Sequence, residues 1–257
     1  MVVKLIKPVL APVLRAQAKR LRRLALEMPE PEGLRSGLIG QSSPEKAPLS
    51  ILIVGDSCAA GVGAPTQQEA LASRIASALA NELDCRVQWH LIAQTGLTSE
   101  GLLALLRQTP LPRADVAIVI IGVNDISNDV PIPIALRRRH EIVRLLIAQS
   151  AIRWALFPAL PEVEKFPLLP QPLAWYGGFT ARQNNALQSR WARHPRRAHM
   201  VSHITMNGLM HPSLMAADGF HPSPALYEKT ARRIAKHIAM KIWPERVQIL
   251  ETDFNPL

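Results

Sequence analysis

Beyond an irregular N-terminal part, short apolar runs alternate with longer segments of helical periodicity. The run at 115–121 (DVAIVII) is apolar almost throughout, which is typical of a strand covered on both faces. By contrast, residues 66–83 place Leu71, Ile75 and Leu79 on one face of a helix. Strands that alternate with helices predict an α/β fold, in which a parallel sheet lies between two helical layers. The predicted strands are 49–54, 86–93, 115–121, 152–157 and a short one near 199–202, and the predicted helices are 66–83, 99–108, 132–149, one ending near 193, and 223–242.

The chain divides into four segments by composition. Residues 1–28 are basic and amphipathic, and residues 29–48 are rich in Pro, Gly, Ser and charge, which predicts a linker. The alternating strands and helices occupy 49–242, and 243–257 is a predicted tail. No window of 18 uninterrupted apolar residues is present, so the sequence shows no clear membrane-spanning helix.

The N-terminal segment carries most of the net charge. Residues 1–23 contain seven Lys and Arg and no acid, so they supply +7 of the total of +10 and leave 10 − 7 = +3 for the rest. Leu10, Leu14 and Leu21 share a helical stripe that Gln17 interrupts, and most of the basic side chains lie off it. Such a helix either rests on an anionic membrane surface or packs on the domain with its arginines in solvent. Both interpretations stay open.

A cleaved signal peptide is less favoured, because the apolar part of this segment is short and interrupted by proline. A cytoplasmic or membrane-associated protein is therefore expected rather than a secreted one. Aromatic residues make up only 5% of the chain and the charge outside the N-terminal segment is small, so nucleic acid is not an expected partner. The second basic run, 137–140 (RRRH), predicts a solvated helix face. Cys58 and Cys85 are predicted to be free thiols, since they lie near opposite strand ends.

Two motifs carry residues suited to nucleophilic catalysis. Gly55-Asp56-Ser57 follows a predicted strand, where backbone N–H groups at a helix start favour developing negative charge. Asp218 and His221 precede the last helix, and their spacing lets the carboxylate reach its own histidine within one turn. A histidine can take the proton of a serine hydroxyl, and a carboxylate fixes the imidazole tautomer. Each motif is weak alone, because the same residues are common in turns and helix caps.

Two further positions complete the candidate site. Asn124 directly follows the apolar run at 115–121, and its amide can donate a hydrogen bond to an oxyanion. Gly96 follows the strand at 86–93, where the lack of a side chain lets its N–H approach the same point. An alternative pair, His199 and His203, has metal-like spacing but no accompanying carboxylate pattern, so no metal site is predicted.

Together, the blocks GDSCAAGVG, AQTGLTSEG, IGVND and DGFHPS resemble the SGNH/GDSL hydrolase family across roughly residues 49–242. The resemblance implies a flavodoxin-like, three-layer α/β/α sandwich and a Ser57–His221–Asp218 triad. It also implies an oxyanion hole from the Ser57 N–H, the Gly96 N–H and the Asn124 side chain, and no cofactor. Cys58 departs from the family pattern, which has leucine after the serine, and this change concerns the pocket wall rather than catalysis.

These residues predict a serine esterase or lipase that forms an acyl-enzyme intermediate. The loop at 158–178 contains Phe166, Leu168, Leu169, Trp175 and Tyr176, which either wall an acyl pocket or pin the loop to the sheet. The expected partner is a small-molecule ester or a lipid, with possible membrane contact through the N-terminal helix. An acyltransferase, a sugar O-acetylesterase and a catalytically silent membrane-binding protein remain alternatives.

Overall fold

One six-stranded sheet forms the centre of the computed structural model, which describes residues 2–24, 26, 28–41 and 47–247. The strands are β1 (Ser36–Ile39), β2 (Leu49–Gly55), β3 (Val87–Ala93), β4 (Val116–Ile120), β5 (Trp154–Pro158) and β6 (Val201–Ile204). They lie in the order β1-β3-β2-β4-β5-β6; β2 to β6 are parallel and β1 is antiparallel to β3. The five parallel strands follow the flavodoxin-like order, in which the chain reverses direction across the sheet after its first strand. The predicted fold is confirmed.

Helices cover both faces of this sheet. They are α1 (Val2–Leu24), α2 (Ser57–Ala60), α3 (Leu71–Leu83), α4 (Ser99–Gln108), α5 (Val123–Ser127), α6 (Ile132–Ser150), α7 (Leu173–Ala192) and α8 (Pro224–Lys241). Successive side chains of β2 point to opposite faces, so Ile53 joins the core beneath α3 and α8, whereas Leu52 joins the core beneath α4 and α6. The predicted helical stripe is observed: Leu71, Ile75 and Leu79 are fully buried.

The predicted linker at 29–48 is wrong for part of its length, because Ser36–Ile39 forms the edge strand β1. Its residues pair in register with β3, for example Ser36 with His90, and Leu38 is still 55% exposed. Backbone hydrogen bonds hold this strand in place, and its side chains are little buried. The hydrophobic pattern therefore does not predict it. Residues 42–46 lie outside the described part of the chain.

The predicted tail at 243–257 also begins with ordered structure. Residues 243–247 are helical, and Trp243 packs against the main core. Arg246 is 6% exposed, and its side chain donates to Asp115 Oδ2 at 3.2 Å and to Pro48 O at 3.0 Å. These contacts tie the chain end to the start of β2. Residues 248–257 lie outside the described residues.

The basic N-terminal segment forms helix α1, which packs on α7. Leu14 is buried, and Gln17 exchanges hydrogen bonds with the backbone at the start of α7. The basic side chains Arg15, Lys19, Arg20 and Arg23 are exposed. Across the described residues, no helix has both the length and the apolar character needed to cross a bilayer.

Candidate active site

Ser57 lies at the carboxyl edge of the sheet, as the first residue of α2. Asp56 caps this helix, with its Oδ1 accepting a hydrogen bond from the Cys58 N–H at 3.1 Å. The preceding Gly55 is required by close packing, since a Cβ there would lie 2.1 Å from the Ile120 carbonyl oxygen. The strand-to-helix turn therefore holds Ser57 directly beside the end of β4.

The structure brings three of the predicted residues together in a continuous hydrogen-bonded series. His221 Nε2 lies 3.0 Å from Ser57 Oγ, and His221 Nδ1 lies 2.5 Å from Asp218 Oδ2. Ser57 and His221 are 164 positions apart in the sequence. The loop that carries His221 can approach because residue 63 is glycine, where a Cβ would lie 2.3 Å from the Pro222 carbonyl oxygen.

The Asp218 carboxylate is held by its own turn. Its side chain is 2% exposed, and its Oδ1 accepts the N–H groups of Phe220 and His221 at 2.9 Å each. Burial alone would raise the pKa of Asp218, but these two N–H groups and the imidazole together lower it below the usual value. Asp218 is thus an anion at neutral pH, aimed at His221 Nδ1.

Asn124 joins Ser57 and His221 at the same cleft, as its position after β4 predicts. Its Nδ2 donates one hydrogen bond to Leu97 O at 3.0 Å, and the second N–H of the amide remains for another acceptor. Gly96 lies in the loop after β3, where its φ of +83° favours glycine. Gly96 is exposed and does not line the cleft, although Ala93 at the end of β3 pairs with Gly55.

A buried charge network beneath these loops was missed by sequence reasoning. Arg139 is 0% exposed, so the prediction of a solvated basic face at 137–140 is wrong at this position. Its guanidinium lies 3.3 Å from Asp125 Oδ2 and donates to Asn184 Oδ1 at 2.8 Å and to Gln188 Oε1 at 2.5 Å. Burial lowers the pKa of Arg139, opposed by Asp125. The available signal was helical spacing, since Arg139 falls on the buried stripe of Ala135, Ile142, Val143 and Leu146.

Asp125 connects this network to the loop that carries Gly96 and Leu97. Its Oδ1 accepts the Ser99 N–H at 2.8 Å, and its Oδ2 accepts the Ser99 hydroxyl at 2.5 Å. Because Asn124 precedes Asp125 and binds Leu97 O, two adjacent residues fix the loop after β3 to the loop after β4. Arg139 balances the charge of the carboxylate that makes this connection.

The predicted linker also supports the Gly96 loop. Glu30 Oε1 accepts the Thr95 N–H at 2.7 Å and the Thr95 hydroxyl at 2.8 Å, immediately before Gly96. Burial opposes ionisation of Glu30, but these bonds and Arg35 lower its pKa. Arg35 itself donates to Ala93 O at 2.8 Å. Residues outside the predicted domain therefore hold part of its candidate site.

The groups on either side of Ser57 have raised pKa values. Burial, together with the charge of Asp125, raises the pKa of Asp56 to about 7. Burial and the neighbouring Asp56 also raise the pKa of the Cys58 thiol. A protonated thiol is a poor nucleophile, so Cys58 does not compete with Ser57 at neutral pH. Cys58 and Cys85 are both free, as predicted.

The cleft beside Ser57 and His221 is mostly apolar and holds about 960 Å³ of empty space when its open mouth is included. Leu160 and Phe166 follow β5, while Met206 and Met210 follow β6. Of the predicted loop residues, Phe166 lines this cleft, whereas Leu168, Leu169, Trp175 and Tyr176 do not. Leu169 instead packs in the apolar cluster around Phe166.

His203, one of the two histidines with metal-like spacing, contacts an amide side chain. His203 Nδ1 lies 2.9 Å from Gln188 Nε2, so this histidine belongs to the outer part of the Arg139 network. Within the residues that the structure describes, no group of three or more His, Cys, Asp and Glu side chains is arranged to hold a metal ion.

Comparison with known proteins identifies the family. Residues 53–229 match the model of the GDSL-like lipase/acylhydrolase family. A GDSL-like esterase of Mycobacterium tuberculosis is 29% identical over 127 residues, which are 49% of this chain and 40% of that protein. This chain therefore matches less than half the length of that relative.

Solved structures show the same fold at low sequence identity. A lipase from a goat rumen metagenome matches with a TM-score of 0.58 and 17% identity, over 74% of this chain and 97% of that one. A carbohydrate esterase family 2 enzyme of Corynascus thermopiles matches with a TM-score of 0.59 and 15% identity, over 78% of this chain and 68% of that one. With the family model matching most of the chain, this protein belongs to the GDSL-like lipase/acylhydrolase family.

Proposed function

We propose that this protein hydrolyses carboxylic esters with Ser57 as nucleophile, His221 as general base and Asp218 as the group that orients the histidine. The observation that carries the proposal is the series Asp218–His221–Ser57, with distances of 2.5 and 3.0 Å, opening onto the apolar cleft. Ser202 and His237 form another Ser–His contact, at 2.7 Å, but neither lines that cleft.

The chemistry proceeds by two acyl transfers. Ser57 Oγ attacks the ester carbonyl while its proton passes to His221 Nε2, and the negative charge moves to the carbonyl oxygen. The intermediate collapses, the C–O bond to the alcohol breaks, and His221 returns the proton to the leaving oxygen. Water then attacks the acyl-enzyme and loses a proton to His221. The bond between the carbonyl carbon and Ser57 Oγ breaks, His221 returns the proton to Ser57 Oγ, and the acid leaves.

The proposed oxyanion donors are the Ser57 N–H, the Gly96 N–H and the Asn124 side chain. Support for Asn124 comes from its place in the cleft and its free second N–H. Gly96 does not itself line the cleft, and its support is its place in the loop after β3, which Asn124 binds at Leu97 O. Each such donor contributes about 3 kcal/mol to transition-state stabilisation in comparable sites.

The lining of the cleft favours esters with an apolar acyl chain over acetyl esters. Met206 and Met210 adapt their shape to flexible apolar ligands, and Phe166 and Phe220 pack edge to face at 5.4 Å beside them. An acetyl group would leave most of this apolar surface in contact with water, whereas each added methylene that enters the cleft gains about 0.8 kcal/mol. The same triad could pass the acyl group to an alcohol acceptor.

The test is hydrolysis of p-nitrophenyl esters from acetate to dodecanoate by wild type, Ser57→Ala and Ser202→Ala. The last variant is the matched control, since it removes a hydroxyl from a Ser–His contact outside the cleft. We expect S57A to abolish turnover, S202A to retain it, and kcat/KM to rise from acetate towards medium chain lengths.

Equal activity of S57A and wild type would refute the assignment of the nucleophile. An optimum at acetate would refute the apolar substrate class and favour a sugar O-acetylesterase. Absence of turnover by folded wild type at every chain length would refute simple hydrolysis, and product analysis with added alcohols would then test acyl transfer.

A further inference from the structure

Helix α1 has two distinct sides. The side towards the domain carries Leu14, which is buried, together with half-buried Leu10, Gln17 and Leu21. The opposite side carries Val13, which is 46% exposed, and a group of exposed basic side chains. These are Arg15, Lys19, Arg20 and Arg23, named here the basic face of α1. No acidic residue occurs in the helix to neutralise them.

The attachment of α1 fixes the direction of this face. Gln17 Nε2 donates to Gln171 O at 2.7 Å, and Gln17 Oε1 accepts the Leu173 N–H at 3.2 Å. Both contacts lie at the start of α7, so a specific polar clamp holds the helix there. The basic face is thus presented outwards by a fixed support.

An exposed aromatic side chain lies close to this clamp. Trp175, in the first turn of α7, is 38% exposed and stacks on Phe179 at 6.1 Å. The backbone N–H of Trp175 donates to Gln171 Oε1 at 3.2 Å, and Gln171 is the residue whose carbonyl Gln17 binds. Trp175 is therefore an exposed tryptophan at the start of the helix to which α1 is attached, and amphipathic rings of this kind are favoured at the boundary between water and lipid.

We propose that the basic face of α1, together with Trp175, binds the surface of an anionic lipid bilayer. Charge complementarity identifies the partner, since this helix holds most of the excess positive charge of the protein. The exposed Val13 adds an apolar group that a partner bound through charge alone would not need. The binding does not depend on the proposed esterase activity, because none of the α1 side chains that the structure describes lines the cleft.

The experiment is co-sedimentation of the full chain with vesicles of phosphatidylcholine alone or with 30% phosphatidylglycerol. A variant with the four basic-face residues changed to glutamine is compared with a control variant that loses the same charge elsewhere. The control changes Arg137, Arg190, Arg196 and Lys236, all exposed and outside α1. Circular dichroism monitors the folding of each variant, and hydrolysis of a soluble p-nitrophenyl ester monitors the cleft independently of vesicle binding.

We expect wild type and the control to bind anionic vesicles and to release them at high salt. The basic-face variant should bind roughly 600-fold more weakly, because each of the four basic residues near an anionic surface contributes about fivefold. Brominated lipids should quench the tryptophan fluorescence of wild type more than that of Trp175→Phe.

Equal loss of binding in both charge variants, or no binding by wild type, would overturn the proposal. Binding of short duplex DNA in preference to vesicles would overturn it too. Equal fluorescence quenching of wild type and Trp175→Phe would show that Trp175 is not part of the membrane-binding surface.

Discussion

Replacing Arg139 with methionine tests whether the buried charge network holds the loops of the active site. Methionine keeps an unbranched apolar stem but removes the guanidinium. Asp125, which is 1% exposed, would keep its two bonds from Ser99 but lose its counter-charge. Asn184 and Gln188 would each lose a donor. The substitution therefore leaves one buried charge and two buried acceptors without their partner.

The expected loss is about 3–5 kcal/mol of unfolding free energy, the usual cost of removing one member of a buried ion pair. This is a large part of the roughly 5–15 kcal/mol that stabilises a typical domain. Arg139→Lys should lose less, because the charge remains, but a single ammonium cannot serve Asp125, Asn184 and Gln188 in the planar geometry of the guanidinium. Urea denaturation at neutral pH, followed by circular dichroism, measures the unfolding free energy of both variants.

Arg137→Met is the matched control, two positions earlier on the same helix and exposed, and should change stability by no more than about 0.5 kcal/mol. The double variant with Asp125→Asn removes both charges, so its loss should be smaller than the sum of the two single losses by roughly 0.5–3 kcal/mol. A loss below about 1 kcal/mol for R139M, or strictly additive losses, would refute the view that this network stabilises the loops.

Two further predictions concern residues next to the candidate triad. Because burial raises the pKa of Asp56 to about 7, the folded protein retains a proton that the unfolded chain releases near pH 4, so wild type loses stability as the pH rises through that window. Asp56→Asn should remove this loss. Urea titrations should therefore show the unfolding free energy of the variant rising relative to that of wild type between pH 5 and pH 8. A difference in unfolding free energy that stays constant over this range would contradict the raised pKa. Gly122→Ala should cost roughly 1–3 kcal/mol more than Gly208→Ala, since both have positive φ but only a Cβ at 122 meets Arg139 Nη2, at 2.5 Å. Equal thermal shifts for the two alanine variants would show that this crowding is absent.

Local sequence determined the parallel sheet and most of the candidate site. The strand at 115–121 is recognisable because a strand covered on both faces must be apolar throughout, and Asn124 follows it directly. Asp218 and His221 are close in sequence, so their contact needs only one turn of backbone. The placement of Ser57 beside His221 then follows from the parallel topology, which collects the strand ends at one edge of the sheet.

Only the tertiary structure decided which polar residues lie inside. In the run at 137–140, the local charge pattern indicates solvent exposure, but the spacing of α6 turns Arg139 towards Asp125, and the cost of burial is met by partners on α5 and α7. Strand β1 escapes the sequence pattern, because its place depends on backbone pairing with β3 and Leu38 stays exposed. Hydrophobic periodicity indicates which side chains are buried. It does not indicate which donor, distant in the sequence, will form a hydrogen bond with a given acceptor. The apolar cleft, the support of Thr95 by Glu30 and the clamp on α1 all depend on such long-range contacts, so they exist only once the chain has folded.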